Sequence, residues 1–141
     1  MARVTTKIIR KPRTASVIKG YEGNLRALVG RAGNLVRNTA VQSINQGAKS
    51  GVTYELYNPR RTHTASAAGQ PPATDTGFLV NNIVLDIDTD GLGANVESRA
   101  DYSSFLEFGT SKMAARPFMQ PALEENRPKI NRLAKQMIKA K

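Results

Sequence analysis

The chain has no cysteine, no tryptophan and a single histidine. Without cysteine there can be no disulfide framework, no thiolate metal site and no cysteine nucleophile. With His63 alone, no histidine cluster can hold a metal. His63 also sits among hydroxyl residues with nothing to mark a third group that would orient it, as a Ser–His catalytic system requires. A Gly-rich phosphate loop is missing too. No apolar run approaches the roughly 20 residues that a membrane-spanning helix needs. The opening MARVTTKIIRKPRTASV is basic but lacks the apolar centre of a secretory signal. These absences point away from an enzyme: no catalytic residue, cofactor or membrane partner is expected.

Positive charge is abundant and unevenly spread. The 141 residues carry a formal net charge of +10, and a chain of this length suits one domain that needs no covalent staple. Arg3, Lys7, Arg10, Lys11, Arg13 and Lys19 all precede the first acid, Glu22, and no acid follows Glu125. The acids gather in the middle, at Asp86, Asp88, Asp90, Glu97, Asp101 and Glu107. Basic ends suit nucleic acid, an acidic neighbouring protein, or simply a solvated surface. Nucleic-acid readout has little support, because only Tyr54 and Tyr57 fall on a predicted strand as stacking platforms would. A small basic protein making sequence-neutral DNA contacts through counterion release is the alternative reading. Arg3, Lys7, Arg10, Lys11 and Arg13 are its candidate contacts to DNA or to an acidic partner.

Residues 1–16 are polar, basic and aperiodic, and read as a flexible arm; residues 17–141 read as one domain. Leu25, Leu28, Val29, Ala32, Leu35, Val36, Ala40 and Ile44 recur at helical spacing. They predict a long helix with Asn24 as N-cap and Gly47 or Gly51 as its stop. Gly30 and Gly33 would each cost that helix about 1 kcal/mol relative to alanine, which a close crossing by another backbone would explain. Residues 53–57 read as a strand, and residues 58–76 as a long loop rich in small, polar and proline residues. Ile83, Val84, Leu85, Asp86, Ile87 and Asp88 read as a strand, with a turn at 89–91 and a returning strand at 94–98. A final helix is expected from near Pro117, with Ile130, Leu133, Ala134, Met137 and Ile138 as its apolar stripe. Pro128 predicts a kink or a division into two pieces. The fold class is α+β, with a long N-terminal amphipathic helix and a C-terminal helix packed on a small antiparallel sheet.

DIDTDGLGANVE, residues 86–97, fits the EF-hand calcium pattern, with Asp86, Asp88, Asp90 and Glu97 as oxygen ligands and Gly91 at the turn. The context opposes it. An EF-hand needs an entering helix, whereas the preceding residues alternate as a strand. A hairpin with Asp86 and Asp88 on its wet face is the expectation, and calcium the weak alternative.

Two further stretches carry a resemblance. The first is Pro72-Ala73-Thr74-Asp75-Thr76-Gly77-Phe78-Leu79-Val80-Asn81-Asn82-Ile83. The second, residues 102–126, contains Glu107-Phe108-Gly109-Thr110 and Ala115-Arg116-Pro117-Phe118, followed by Pro121-Ala122-Leu123. Together they resemble the head–tail joining and tail-completion (neck) proteins of long-tailed bacteriophages, over roughly residues 20–127. The basic arm lies outside those motifs. The resemblance implies an α+β virion subunit that forms a homo-oligomeric ring between the head connector and the tail tube, assembled in the host cytoplasm. DNA passing through the channel would then meet the basic ends. A long loop ending in Asp-Thr-Gly leads, in that family, to a hydrophobic strand. The implied contact residues are Arg60, Arg61, His63, Asp75, Thr76, Glu107, Phe108, Gly109, Lys112, Arg116 and Phe118. Among these Gly109 permits a tight reversal, and Arg116 pairs with Glu107 or with a neighbouring subunit. Phe105, Phe108 and Phe118 are expected to bury against a helix face and build the subunit, leaving ring contacts to the 58–76 loop and the charged ends.

Overall fold

The computed structural model describes residues 3–7 and 21–139. Helix α1, Glu22–Gln46, turns the predicted stripe inward: Leu28, Val29, Ala32, Val36, Ala40 and Ile44 are buried. It starts two residues before Asn24, with Glu22 in the first turn, where the positive end of the helix dipole favours an acid. It ends at Gly47, whose N–H donates to the Ser43 carbonyl at 2.9 Å.

The core sheet has β5, Gly93–Ser98, between β4, Ile83–Ile87, and β1, Arg3–Lys7, all antiparallel. Ile83 pairs with Ser98 and Ile87 with Ala94, while Arg3 pairs with Glu97 and Lys7 with Gly93. In β5 the buried Ala94, Val96 and Ser98 alternate with the half-buried Asn95 and Glu97. Part of the expected arm is therefore an edge strand, because unpaired backbone along β5 would be costly and residues 3–7 pair with it. The rest of the arm, with Arg10, Lys11 and Arg13, lies outside the described residues.

Gly33 of α1 is buried against β4, and a methyl group there would overlap the Leu85 side chain, so this glycine permits a close crossing. Gly30 has open space around it. The expected strand after Asp-Thr-Gly begins instead as one helical turn, α2, Phe78–Asn81, and becomes strand only at Ile83. Gly77 makes that bend at φ 80°, the left-handed region that favours glycine.

The 58–76 loop is not wholly irregular. Residues Arg60–Thr64 form β3, paired antiparallel with β2, Thr53–Tyr57. RRTHT has no apolar residue and so no alternation signal; backbone pairing across the turn at residues 58 and 59 makes it a strand. Tyr54 pairs with His63 and Tyr57 with Arg60, which places the two tyrosines on opposite faces of the ribbon.

The six-residue α3, Ser103–Phe108, leads through a reversal to α4, Met119–Lys139. Helix α4 starts two residues after Pro117 and continues through Pro128 as one element. Pro128 is exposed, and so is Glu124, whose carbonyl loses its partner, so water can replace the lost bond. Helices α1 and α4 pack together, and Val36, Ala40, Ile44, Ile83, Val96, Phe118, Met119 and Ala122 share one core. Within it the fully buried Asn126 of α4 donates to Thr39 Oγ1 of α1 and to the Ala122 carbonyl, both at 2.8 Å.

Candidate functional site

Glu107 organises the junction between α3 and α4. Helix α4 begins with backbone N–H groups that have no partner inside the helix. The buried Glu107 carboxylate accepts from Phe118 N at 2.9 Å, Met119 N at 3.0 Å and Gln120 N at 2.8 Å. The next residue, Pro121, has no N–H, so the helix entry is fully satisfied. Glu107 thus caps a helix and does not pair with Arg116, as the sequence reading allowed: three convergent donors at the positive end of a helix dipole hold it. Gly109 makes the reversal at φ 74°, and any side chain there would press on Met113 O and Ala115 N at 2.8 Å. The reversal closes through Thr110 N to Met113 O, 2.8 Å, and Arg116 N to Leu106 O. Lys112 lies exposed at its tip.

The expected core aromatics divide. Phe118 is buried at 1% exposure, whereas Phe105 and Phe108 are 56% and 72% exposed. Ser103 and Glu107, four residues apart, are the buried positions of α3, so Phe105 and Phe108 fall on the opposite side. Phe78 of α2 and Tyr102 extend the exposed aromatic surface, with ring centroids 6.1 Å apart. Partial burial pushes the Tyr102 phenol up from its ordinary value.

Arg61, His63 and Asp75 come together. Arg61 forks onto Asp75 through Nη1–Oδ1 at 2.8 Å and Nη2–Oδ2 at 3.0 Å, and His63 Nδ1 lies 3.8 Å from the same carboxylate. This ties β3 to the segment before Gly77. Arg60 pairs with no acid and stands exposed at the ribbon tip with Thr76 exposed beside Asp75. Between ribbon, loop and α3 lies a cavity of about 170 Å³, lined by Ser66, Asp75, Phe78, Tyr102, Leu106 and Arg116 among others. Both family-like stretches, 72–83 and 102–126, contribute walls. Arg116 Nε and Ser66 Oγ are buried there without a hydrogen-bond partner among the described residues. Ser66 carries no sequence signal, since a serine in a polar loop looks solvated.

The calcium-pattern residues form the β4–β5 hairpin. Asp86 and Glu97 bind Arg99 at 2.9 and 3.2 Å, and these carboxylates hold its guanidinium above the ordinary arginine value. Asp90 accepts from Leu92 N at 2.8 Å, which shapes the turn. Glu97 extends from a strand where the calcium loop would need a helix. Among the described residues no three acids or histidines converge on a metal-sized space, and no helix is long and apolar enough to cross a membrane.

A family model described as "Bacteriophage HK97-gp10, putative tail-component" matches residues 2–109. The matched span takes in the N-terminal residues that the motifs omit, and it stops at Gly109, before Arg116-Pro117-Phe118. No curated protein and no solved structure matches the chain.

Proposed function

We propose a neck function on the premise that the chain belongs to the HK97-gp10-like family of phage tail components. A tail component is part of the virion. The finer reading is head–tail joining or tail completion: one α+β unit, residues 17–141, repeated in an oligomeric ring between head connector and tail tube. It acts by assembly and not by catalysis. The observation that carries this reading is the exposed aromatic surface of Phe78, Tyr102, Phe105 and Phe108. Contiguous exposed aromatics on a soluble surface mark a protein interface. The β2–β3 ribbon supports it, because Val52, Tyr54 and Tyr57 are also exposed and a lone two-stranded ribbon is only marginally stable in water. The basic ends would meet an acidic neighbouring ring or the DNA in the channel.

Negative-stain images of the purified protein, alone and mixed with tail tubes, test this. Rings, or density capping the tubes, are the expected result. A monomer that ignores tubes and heads, and binds duplex DNA with an affinity that falls steeply as salt rises, would establish the nucleic-acid alternative instead.

A further inference from the structure

We infer that the cavity beside Arg116 receives the Asp88 carboxylate of a second copy of this chain, making it the socket of a head-to-tail contact; this rests on the ring reading.

The chemistry of the cavity selects a carboxylate. Buried polar groups are normally satisfied, and each exception calls for a partner. Two such exceptions, Arg116 Nε and Ser66 Oγ, line the same space. One is a cationic donor and the other a hydroxyl that can donate, so the missing group is an anionic acceptor. Size excludes a cofactor: about 170 Å³ falls well short of the roughly 300–1,000 Å³ of small-molecule sites. It has room for one side chain.

The chain's own acids then narrow the choice. It has eleven, and nine of them have hydrogen-bond or ion-pair partners. Among the described residues the remaining two, Asp88 and Asp101, have no such partner, and both are exposed. Asp101 adjoins Tyr102 at the cavity itself. Asp88 stands at the far end of the same hairpin, where its backbone N–H and carbonyl, bonded to Gly93 O at 2.9 Å and Gly91 N at 2.8 Å, fix the turn. The cavity lies at the opposite end, flanked by α2 just before Ile83 and by α3 just after Ser98. Four residue steps of β4 alone separate the two ends by about 14 Å, so one molecule cannot fill its own socket with its own Asp88. Complementary patches at opposite ends of one element give a heterologous contact, the kind that closes into a ring.

The absence of cysteine makes the contact directly trappable. Full-length Asp88→Cys and Arg116→Cys proteins are mixed in equal amounts and oxidised at a concentration where the unmodified protein forms rings. A disulfide dimer that needs both variants is the expected result. The exposed Asp88→Lys change, tested with a thermal melt to confirm folding, should weaken ring assembly about 30-fold or more. Rings that form normally in Asp88→Lys and give no mixed disulfide overturn the socket assignment and leave the ring reading standing. If the Arg116 variant keeps its rings but loses attachment to tubes, an acid of another protein fills the cavity, and the assignment is likewise overturned. A chain that never assembles, even with tubes, removes the ring reading first and the socket with it.

Discussion

Glu107 accepts a hydrogen bond from the backbone N–H of Met119 at 3.0 Å, and so joins the last turn of α3 to the first turn of α4. The same carboxylate holds Phe118 and Gln120, which makes it the one side chain that positions both the aromatic surface and the closing helix. Replacing it with alanine leaves three donors without their acceptor. The Glu107→Ala protein should lose about 2–3 kcal/mol in urea unfolding, and Glu107→Gln, which keeps one acceptor oxygen, should lose less. Equal stability of all three proteins would show that the cap contributes nothing.

The two glycines of α1 should respond in opposite directions. Gly30→Ala adds a methyl to open space and removes a helix penalty, so a gain of about 0.5–1 kcal/mol is expected. Gly33→Ala pushes the same methyl into Leu85 and should cost about 1–3 kcal/mol. Thermal melts of the pair decide the matter, because a shared sign would mean that the α1–β4 crossing is loose.

Asn126 is the polar tie between α1 and α4. With its side chain removed in Asn126→Ala, Thr39 Oγ1 and the Ala122 carbonyl lose a donor inside the core, at a cost of about 1–3 kcal/mol. Thr39→Val on the same background should then cost little more, since the two changes remove one interaction; additive losses in the double mutant would contradict a direct tie.

How much of this was legible in the sequence depends on the length scale of each signal. The stripe from Leu28 to Ile44 is a local periodicity, and the burial of α1 follows it. The β4–β5 hairpin likewise follows from alternation and turn residues at 89–91. Strand β3 was hidden because RRTHT has no apolar residue and its pairing depends on β2 alone. The exposure of Phe105 was hidden for a different reason. On so short a helix the inward face is chosen by Glu107, which turns inward to reach a helix eleven residues further on. A buried acid facing in and a phenylalanine facing out reverse what hydrophobicity alone suggests. The cavity was illegible, since its walls meet only through tertiary packing.

Surface aromatics that serve assembly should be separable from stability. Phe105→Ser and Phe108→Ser are expected to change unfolding free energy by no more than about 0.5 kcal/mol, yet to abolish rings or tube capping in negative-stain images. If the double variant instead unfolds, these rings support the subunit itself.

The pairing of Arg3 with Glu97 also sets an order of events. Strands β4 and β5 meet across a short turn and can form early, but β1 must close nearly the whole chain to reach its place. Contacts so distant in sequence form slowly. For that interval the outer edge of β5 is an unpaired template open to any passing strand, and the first seven residues act as its chaperone in cis.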